Sequence, residues 1–417
     1  MKTILLSIVL LLLFSALNAQ VFTPTSFFSK ALDKDMEYYV SYPDGYNTDT
    51  EKNFPVIIFL HGAEVGPDSY ADPINEQEAL FRIAYPDLFK TILIMPNGQV
   101  EPYLGSFYTN SELYGDYENY IMEDLIEHVR KTYRVIEGRR GMSIMGHSMG
   151  GIGSMKLALK YPDQFAGIAS LSGPLNIVRW QELLPLVLAE NGGQAPYGFE
   201  FEGSGTKTQL AFSMAGAFSP NLNNETKVDF PIKSDGTKDD DVLKRWAVHN
   251  PAHLVASWGG DPTMGVYFYC GTNDDHQLFP QNENFKDSLD FYGVENYVFK
   301  QDDGDHSNKL IIRFPEAVEF LINVMDTTTN LVDAIAEFQE SEVLKIYPNP
   351  MRDQLVVDGI EVDSNIRIYS VVGKPVFQVN NVKEERFVWN PGALSSGIYF
   401  IEIQHGGSHQ VYRFVKL

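Results

Sequence analysis

A serine set between glycines, Gly146-His147-Ser148-Met149-Gly150, is the group in this chain whose types and spacing best suit chemistry. It lies between a short apolar run, Met142 to Met145, and a helix-like stretch, Gly151 to Tyr161. That order predicts a nucleophile elbow, a tight strand-to-helix turn that holds the serine hydroxyl above a parallel sheet. A side chain two residues before or after the serine would collide with the neighbouring strand or helix, so Gly146 and Gly150 have a steric job. A serine hydroxyl becomes nucleophilic when a base takes its proton and a third group orients that base. Two later segments offer those groups in the chain order nucleophile, acid, base. Asp274 follows an apolar run that ends at Cys270, and His306 follows the run Tyr297 to Lys300. Asp275 competes with Asp274 for the acid, because sequence does not show which carboxylate faces the imidazole. Attack on a carbonyl also needs backbone N–H donors for the developing oxyanion. Met149, next after the serine, supplies one; Ala63 in Phe59-Leu60-His61-Gly62-Ala63 is the choice for the other, with Gly62 allowing the close turn.

The remaining histidines read differently. His147 packs beside the serine and cannot reach its hydroxyl as a base, while His61 is placed to bond backbone near the oxyanion loop. His249 and His253 have a metal-like i, i+4 spacing, but Pro251 between them breaks a regular helix and no Glu stands where a zinc protease needs its base. No metal is therefore expected there. His276 lies near enough to Asp274 to touch substrate. Cys270, the single cysteine, sits in Val266-Tyr267-Phe268-Tyr269-Cys270 and reads as a buried core thiol.

The elements that must hold these residues alternate short apolar runs with helix-length segments. Glu37 to Tyr42, Val56 to Leu60, Ile92 to Met95, Gly167 to Ser172, Gly265 to Cys270 and Tyr297 to Lys300 read as strands. Tyr120 to Tyr133 reads as an amphipathic helix, and Lys309 to Met325 as another. The pattern predicts an α/β fold, a mostly parallel sheet with helices on both faces. Between Ser172 and Gly265 it loosens into polar clusters, an insertion on the side where loops build a site. Beyond the polar segment 326–342 the period changes to two. Leu355 and Val357, Ile366 and Ile368, Tyr399 with Ile401 and Ile403, and Tyr412 with Phe414 alternate with polar residues between turn signals. That predicts a small all-β sandwich of about seven strands.

Charge and compartment narrow the function. The 417 residues carry a formal net charge of −23, which argues against a nucleic-acid or anionic-membrane partner. Residues 343–417 hold eight Lys and Arg against seven Asp and Glu, so the acidity belongs to residues 1–342. Lys2, the apolar stretch Ile4 to Leu17 and Asn18-Ala19-Gln20 read as a secretory signal cleaved after Ala19. An exported chain whose one cysteine excludes an internal disulfide points to a bacterial source. The division expected is signal 1–19, catalytic domain 20–325, linker 326–342 and tail 343–417, with no integral membrane segment after cleavage.

Residues 35 to 325 resemble the esterase D and feruloyl esterase family of α/β-hydrolases. The resemblance rests on Phe54-Pro55-Val56-Ile57-Ile58-Phe59-Leu60-His61-Gly62, Met95-Pro96-Asn97-Gly98, Tyr108-Thr109-Asn110-Ser111, Tyr120 to Ile126, the elbow, and the Asp274 and His306 segments. It implies cofactor-free hydrolysis of carboxylic esters through an acyl-enzyme, with Ser148 as nucleophile, His306 as base and then acid, and Asp274 orienting His306. The tail resembles the C-terminal sorting domain of the type IX secretion system of Bacteroidetes, in Tyr347-Pro348-Asn349-Pro350, Val372-Gly373-Lys374, Leu394-Ser395-Ser396-Gly397-Ile398-Tyr399 and Arg413-Phe414-Val415-Lys416-Leu417. It implies type IX machinery as a partner and release or surface attachment. Export favours an ester met outside the cell, with feruloyl or acetyl groups on polysaccharide first. Peptide, lipid or siderophore esters, acyl transfer, an inactive surface-binding module and a carbohydrate-binding tail built around Trp389 stay open.

Overall fold

The computed structural model describes residues 21–325, 344–347, 351–370, 374–392, 394–395, 397–406 and 408–416. The signal 1–19, the linker 326–342 and the Pro348-Asn349-Pro350 and Val372-Gly373 parts of the tail motifs lie outside the described residues. No helix among those described is long and apolar enough to cross a membrane.

Eight strands form one sheet: β1 (Phe22–Ser29), β2 (Lys34–Ser41), β3 (Val56–Leu60), β4 (Ile92–Pro96), β5 (Met142–His147), β6 (Gly167–Leu171), β7 (Gly265–Gly271) and β8 (Tyr297–Asp302). Their order is β1-β2-β4-β3-β5-β6-β7-β8. The β1–β2 and β2–β4 pairs are antiparallel and the rest are parallel. Every residue of β3 to β7 is buried, which is why these strands are continuous apolar runs. Alternate residues of β3 feed two cores: Val56, Ile58 and Leu60 on one face, Ile57 and Phe59 on the other. Helix α1 (Met149–Lys160) brings Ile152 and Met155 to the first. Helix α4 (Leu310–Met325) brings Phe314, Phe320 and Leu321 to the second.

Strand β1 is absent from the expectations above. Its Thr23, Pro24, Thr25 and Ser26 carry no apolar run, and it sits at the sheet edge, where a proline is tolerated. The insertion between β6 and β7 is also more ordered than its polar clusters suggest. It contains helix α2 (Thr206–Phe218) and helices Leu184–Glu190, Asp240–Ala247 and Pro251–Trp258. The last begins at Pro251, so His249 and His253 do not share a helical face. Helix α3 (Phe279–Phe291) follows β7.

Among the described residues the tail has seven strands, all paired antiparallel: β9 (Lys345–Tyr347), β10 (Leu355–Asp358), β11 (Ser364–Ser370), β12 (Pro375–Val382), β13 (Arg386–Trp389), β14 (Gly397–His405) and β15 (Ser408–Lys416). They make sheets β9-β10-β13 and β12-β11-β14-β15. Leu355, Val357, Ile366, Ile368, Ile401, Phe414 and Trp389 form the core between them. Trp389 is therefore core rather than an exposed carbohydrate platform. On the other side of the larger sheet, Phe400 and Val411 make a small apolar contact with Ala84 and Tyr85 of the α/β domain.

Candidate active site

Ser148 lies between β5 and α1 with φ 53° and ψ −116°, a conformation costly for any residue with a side chain. The turn exists because nothing stands on either side of it. A Cβ on Gly146 would run into the carbonyl of Gly150, and one on Gly150 into the carbonyl of Leu60. Two loops converge on the serine from the C-terminal ends of β7 and β8. They are laced together by Thr272 N–H donating to the Asp302 carbonyl at 2.8 Å and Asn273 N–H to the Gly304 carbonyl at 3.0 Å. Asp302 in turn accepts from Tyr269 Oη at 2.8 Å, Gly304 N–H at 2.8 Å and Arg313 Nη2 at 2.8 Å, which fixes the start of the His306 loop.

The loops bring three sequence-predicted residues into one chain of hydrogen bonds. His306 Nε2 is 2.9 Å from Ser148 Oγ, and His306 Nδ1 is 2.7 Å from Asp274 Oδ2. The Asp274 side chain is wholly buried, and its Oδ1 accepts from His276 N–H at 2.9 Å and Leu278 N–H at 3.4 Å. Asp275 is 64% exposed and faces Lys207 Nζ at 3.9 Å, so it is Asp274 that meets the imidazole. With Asp274 accepting at Nδ1, His306 carries its proton there and presents a bare Nε2 to the hydroxyl.

The loop after β3 lies against the serine: a Cβ on Gly62 would sit 3.5 Å from Ser148 Cβ. Its path is set by two buried histidines. His61 Nδ1–H donates to the Gly62 carbonyl at 2.7 Å, and His61 Nε2 accepts from Gly98 N–H at 2.7 Å. His147 Nε2–H donates to the His306 carbonyl at 3.1 Å, and its Nδ1 accepts from Tyr70 Oη at 2.7 Å. Gly62 N–H donates to that same Tyr70 oxygen at 3.1 Å. His147 thus ties the elbow, the Gly62 loop and the His306 loop together. Burial holds both rings neutral, lowering His61 to about 4 and His147 to about 3. Met149, next after the serine, is the first residue of α1, where the leading amides of a helix have no partner within it, and Ala63 follows Gly62 in the loop that lies against the serine.

A small cleft opens beside Ser148, which forms part of its lining. Phe107, Pro174, Leu183, Leu210 and Met214 make most of its wall, with Gln281 and His276 as polar exceptions. His276 packs 4.3 Å from the His306 ring and accepts from Lys207 Nζ at 3.0 Å. Burial, then the neighbouring His306 and Lys207, lower it to about 4. Phe107 is held by a buried lysine of α1: Lys156 Nζ donates to the Tyr108 carbonyl at 2.6 Å and stands 3.5 Å from Glu118. Burial lowers Lys156 to about 8. Cys270 is buried and its thiol pushed up by burial. Asp275, His276 and His306 come within 4.8 Å of one another, a spacing that would admit a metal ion, but both His306 nitrogens are taken by Ser148 and Asp274. Sequence reasoning missed Tyr70 and Lys207, whose partners lie far along the chain, and Phe107 and Gln281, which come together only in the folded cleft.

A serine, an imidazole and a carboxylate in this order above a mostly parallel sheet define an α/β-hydrolase. The chain belongs to the family described as "Putative esterase", which matches residues 29–310, and residues 345–416 match the secretion system C-terminal sorting domain. That tail marks the chain for export through the type IX system to the surface or medium. An esterase of Mycobacterium tuberculosis strain ATCC 25618 / H37Rv is 28% identical over 170 residues, 37% of this chain and 34% of that protein. The chain thus spans about a third of that relative's length. An acetyl esterase of Caldicellulosiruptor saccharolyticus is 28% identical over 160 residues, 36% of this chain and 56% of that one. A solved ferulic acid esterase shares the fold with TM-score 0.52 and 18% identity, covering 73% of this chain and 98% of its own. A fluorophosphonate-binding serine hydrolase of Staphylococcus aureus does so with TM-score 0.50 and 20% identity, covering 72% and 98%.

Proposed function

We propose that this protein is an exported serine carboxylic-ester hydrolase working through an acyl-enzyme. The observation that carries the proposal is the Ser148–His306–Asp274 chain, with contacts of 2.9 and 2.7 Å. Ser148 Oγ attacks the ester carbonyl carbon while His306 Nε2 takes its proton. The carbonyl oxygen becomes an oxyanion held by the Met149 and Ala63 amides. Collapse breaks the bond to the alcohol, which leaves with the proton from His306, and the acyl group stays on Ser148. Water then attacks the acyl carbon, again giving its proton to His306, and the carboxylic acid departs as Ser148 recovers that proton. Asp274 keeps His306 in the Nδ1–H tautomer and stabilises the imidazolium. No cofactor takes part.

The substrate is a carbohydrate-linked ester, feruloyl or acetyl. Export by the tail and likeness to an acetyl esterase and a ferulic acid esterase support this. The working units are a signal over 1–19, a catalytic domain over 20–325, a linker over 326–342 and a sorting tail over 343–417. The test is turnover of a panel of aryl, acetyl-sugar and acyl esters by mature protein and by Ser148→Ala. The variant should fold and lose at least about 10⁴-fold in kcat. Near-normal turnover in it would remove Ser148 as the nucleophile.

A further inference from the structure

Gln281 is the third residue of α3 and lines the cleft, yet only 3% of it is exposed and its side-chain oxygen has no hydrogen-bond partner among the described residues. An unpaired buried amide oxygen is a standing cost, and native proteins carry few of them. The next residue shows the contrast. Asn282 also has an unpaired oxygen, but its Nδ2 donates to the carbonyls of Gly173 and Leu278, so it serves the fold and does not line the cleft. Gln281 sits on the segment that begins with Asp274: Asp274 Oδ1 holds the amides of His276 and Leu278, and Gln281 N–H donates to the Leu278 carbonyl at 3.0 Å. It is therefore firmly placed relative to the serine, in a lining that is otherwise mainly Phe107, Leu183, Leu210 and Met214. A group in that setting finds its partner on a ligand.

We infer that Gln281 is the specificity-determining residue of this cleft: it accepts a hydrogen bond from a hydroxyl on the apolar arm of the substrate. The inference rests on the serine-esterase proposal above and deepens it by naming what the arm must carry. An arm without the hydroxyl enters the cleft but leaves the amide unpaired, and such sites discriminate far better than an apolar wall alone.

The test compares kcat/KM for two ester pairs in which a rigid ring carries the hydroxyl at a fixed distance. Methyl 4-hydroxycinnamate against methyl cinnamate places it on the acyl arm; 2-(4-hydroxyphenyl)ethyl acetate against 2-phenylethyl acetate places it on the alcohol arm. In the unaltered protein the hydroxylated member of one pair should be favoured by about 10-fold or more, and the pair that responds tells which arm the cleft takes. Gln281→Met keeps the length and removes the acceptor. It should cut that preference below about 2-fold, slowing the hydroxylated member more than the plain one. If that variant does not fold, inhibition of the unaltered protein by 4-hydroxycinnamate and cinnamate, and by the two free alcohols, gives the same comparison. Discrimination below about 2-fold in both pairs, with both plain esters turned over by Ser148, overturns the role of Gln281 and leaves the esterase standing. A preference that survives undiminished in Gln281→Met overturns it as well. No turnover of any ester removes the parent proposal too.

Discussion

The α/β domain and the β tail solve opposite problems. The tail buries a core of Leu355, Val357, Ile366, Ile368, Ile401 and Phe414, and Phe400 and Val411 on the outer face of its larger sheet rest on the α/β domain. The α/β domain buries many more polar groups than the tail, which buries Ser364 and Glu402. His61, His147, Lys156, Glu118 and Asp274 are all inside it, each with hydrogen-bond partners. Burying such groups is costly unless they are paired, so they mark where geometry has been fixed for a purpose. On the proposed function, one region holds the chemistry in place and the other is an address.

The largest effect that separates them is at the acid. Asp274→Asn should lower kcat/KM by about 10³-fold or more, because the amide no longer fixes the His306 tautomer. Asp275→Asn, at an exposed carboxylate, should change it by less than about 3-fold. Steady-state kinetics on both variants decide the matter, and equal losses would return the assignment to open competition.

Cutting the chain within 326–342 should abolish delivery while sparing catalysis. In a host with type IX machinery the truncated protein should remain in the periplasm, with kcat/KM within about 2-fold of the full chain. Against separability stand the contact of Phe400 and Val411 with Ala84 and Tyr85 and the nearness of Tyr412 to Glu316 and Arg313 of α4. Loss of folding on truncation would make the tail part of the hydrolase.

Acid should unsettle the α/β domain through its buried imidazoles. His61 and His276 are lowered to about 4, His147 and His249 to about 3, in each case chiefly by burial. Unfolded, each titrates near 6.5. Between those values the unfolded chain binds more protons, so stability is intact above about pH 6.5 and falls as pH drops toward 4. Each such histidine contributes about 1.4 kcal/mol per pH unit in that window. Thermal melting of the truncated hydrolase from pH 7 to 4 should show a progressive fall in Tm; a flat profile would mean these rings are not held neutral.

A smaller effect concerns metal. Because Asp275, His276 and His306 come within 4.8 Å of one another, added zinc should inhibit, by competing for His306, and a chelator should leave activity unchanged. Restoration of a chelator-inactivated protein by a divalent ion would contradict this.

What the sequence showed, and what it hid, follows the same division. Val56 to Leu60 is legible to the residue because a parallel strand covered on both faces must be apolar throughout. The elbow is legible because its glycines answer to local sterics. Helix α2 is not, since Ala211, Phe212, Ser213, Met214 and Ala215 are buried in succession and leave no polar face to set a period. The cleft is not, since Phe107, Leu183, Met214 and Gln281 come from four separate segments. Nor is the link from Tyr70 to His147, which spans 77 residues. Alternation reveals the tail's strands, but only the packed structure shows that Trp389 faces inward.

The central claim is that Ser148 is the nucleophile, activated by His306. Its most direct test is to treat the mature protein with an organophosphonate ester reagent and follow turnover, intact mass and peptide mapping together. One adduct per chain, on Ser148, appearing in step with loss of ester hydrolysis and absent from His306→Ala, is the result predicted. Full inactivation with the adduct on another residue, or ester hydrolysis that persists after Ser148 is fully modified, would contradict it.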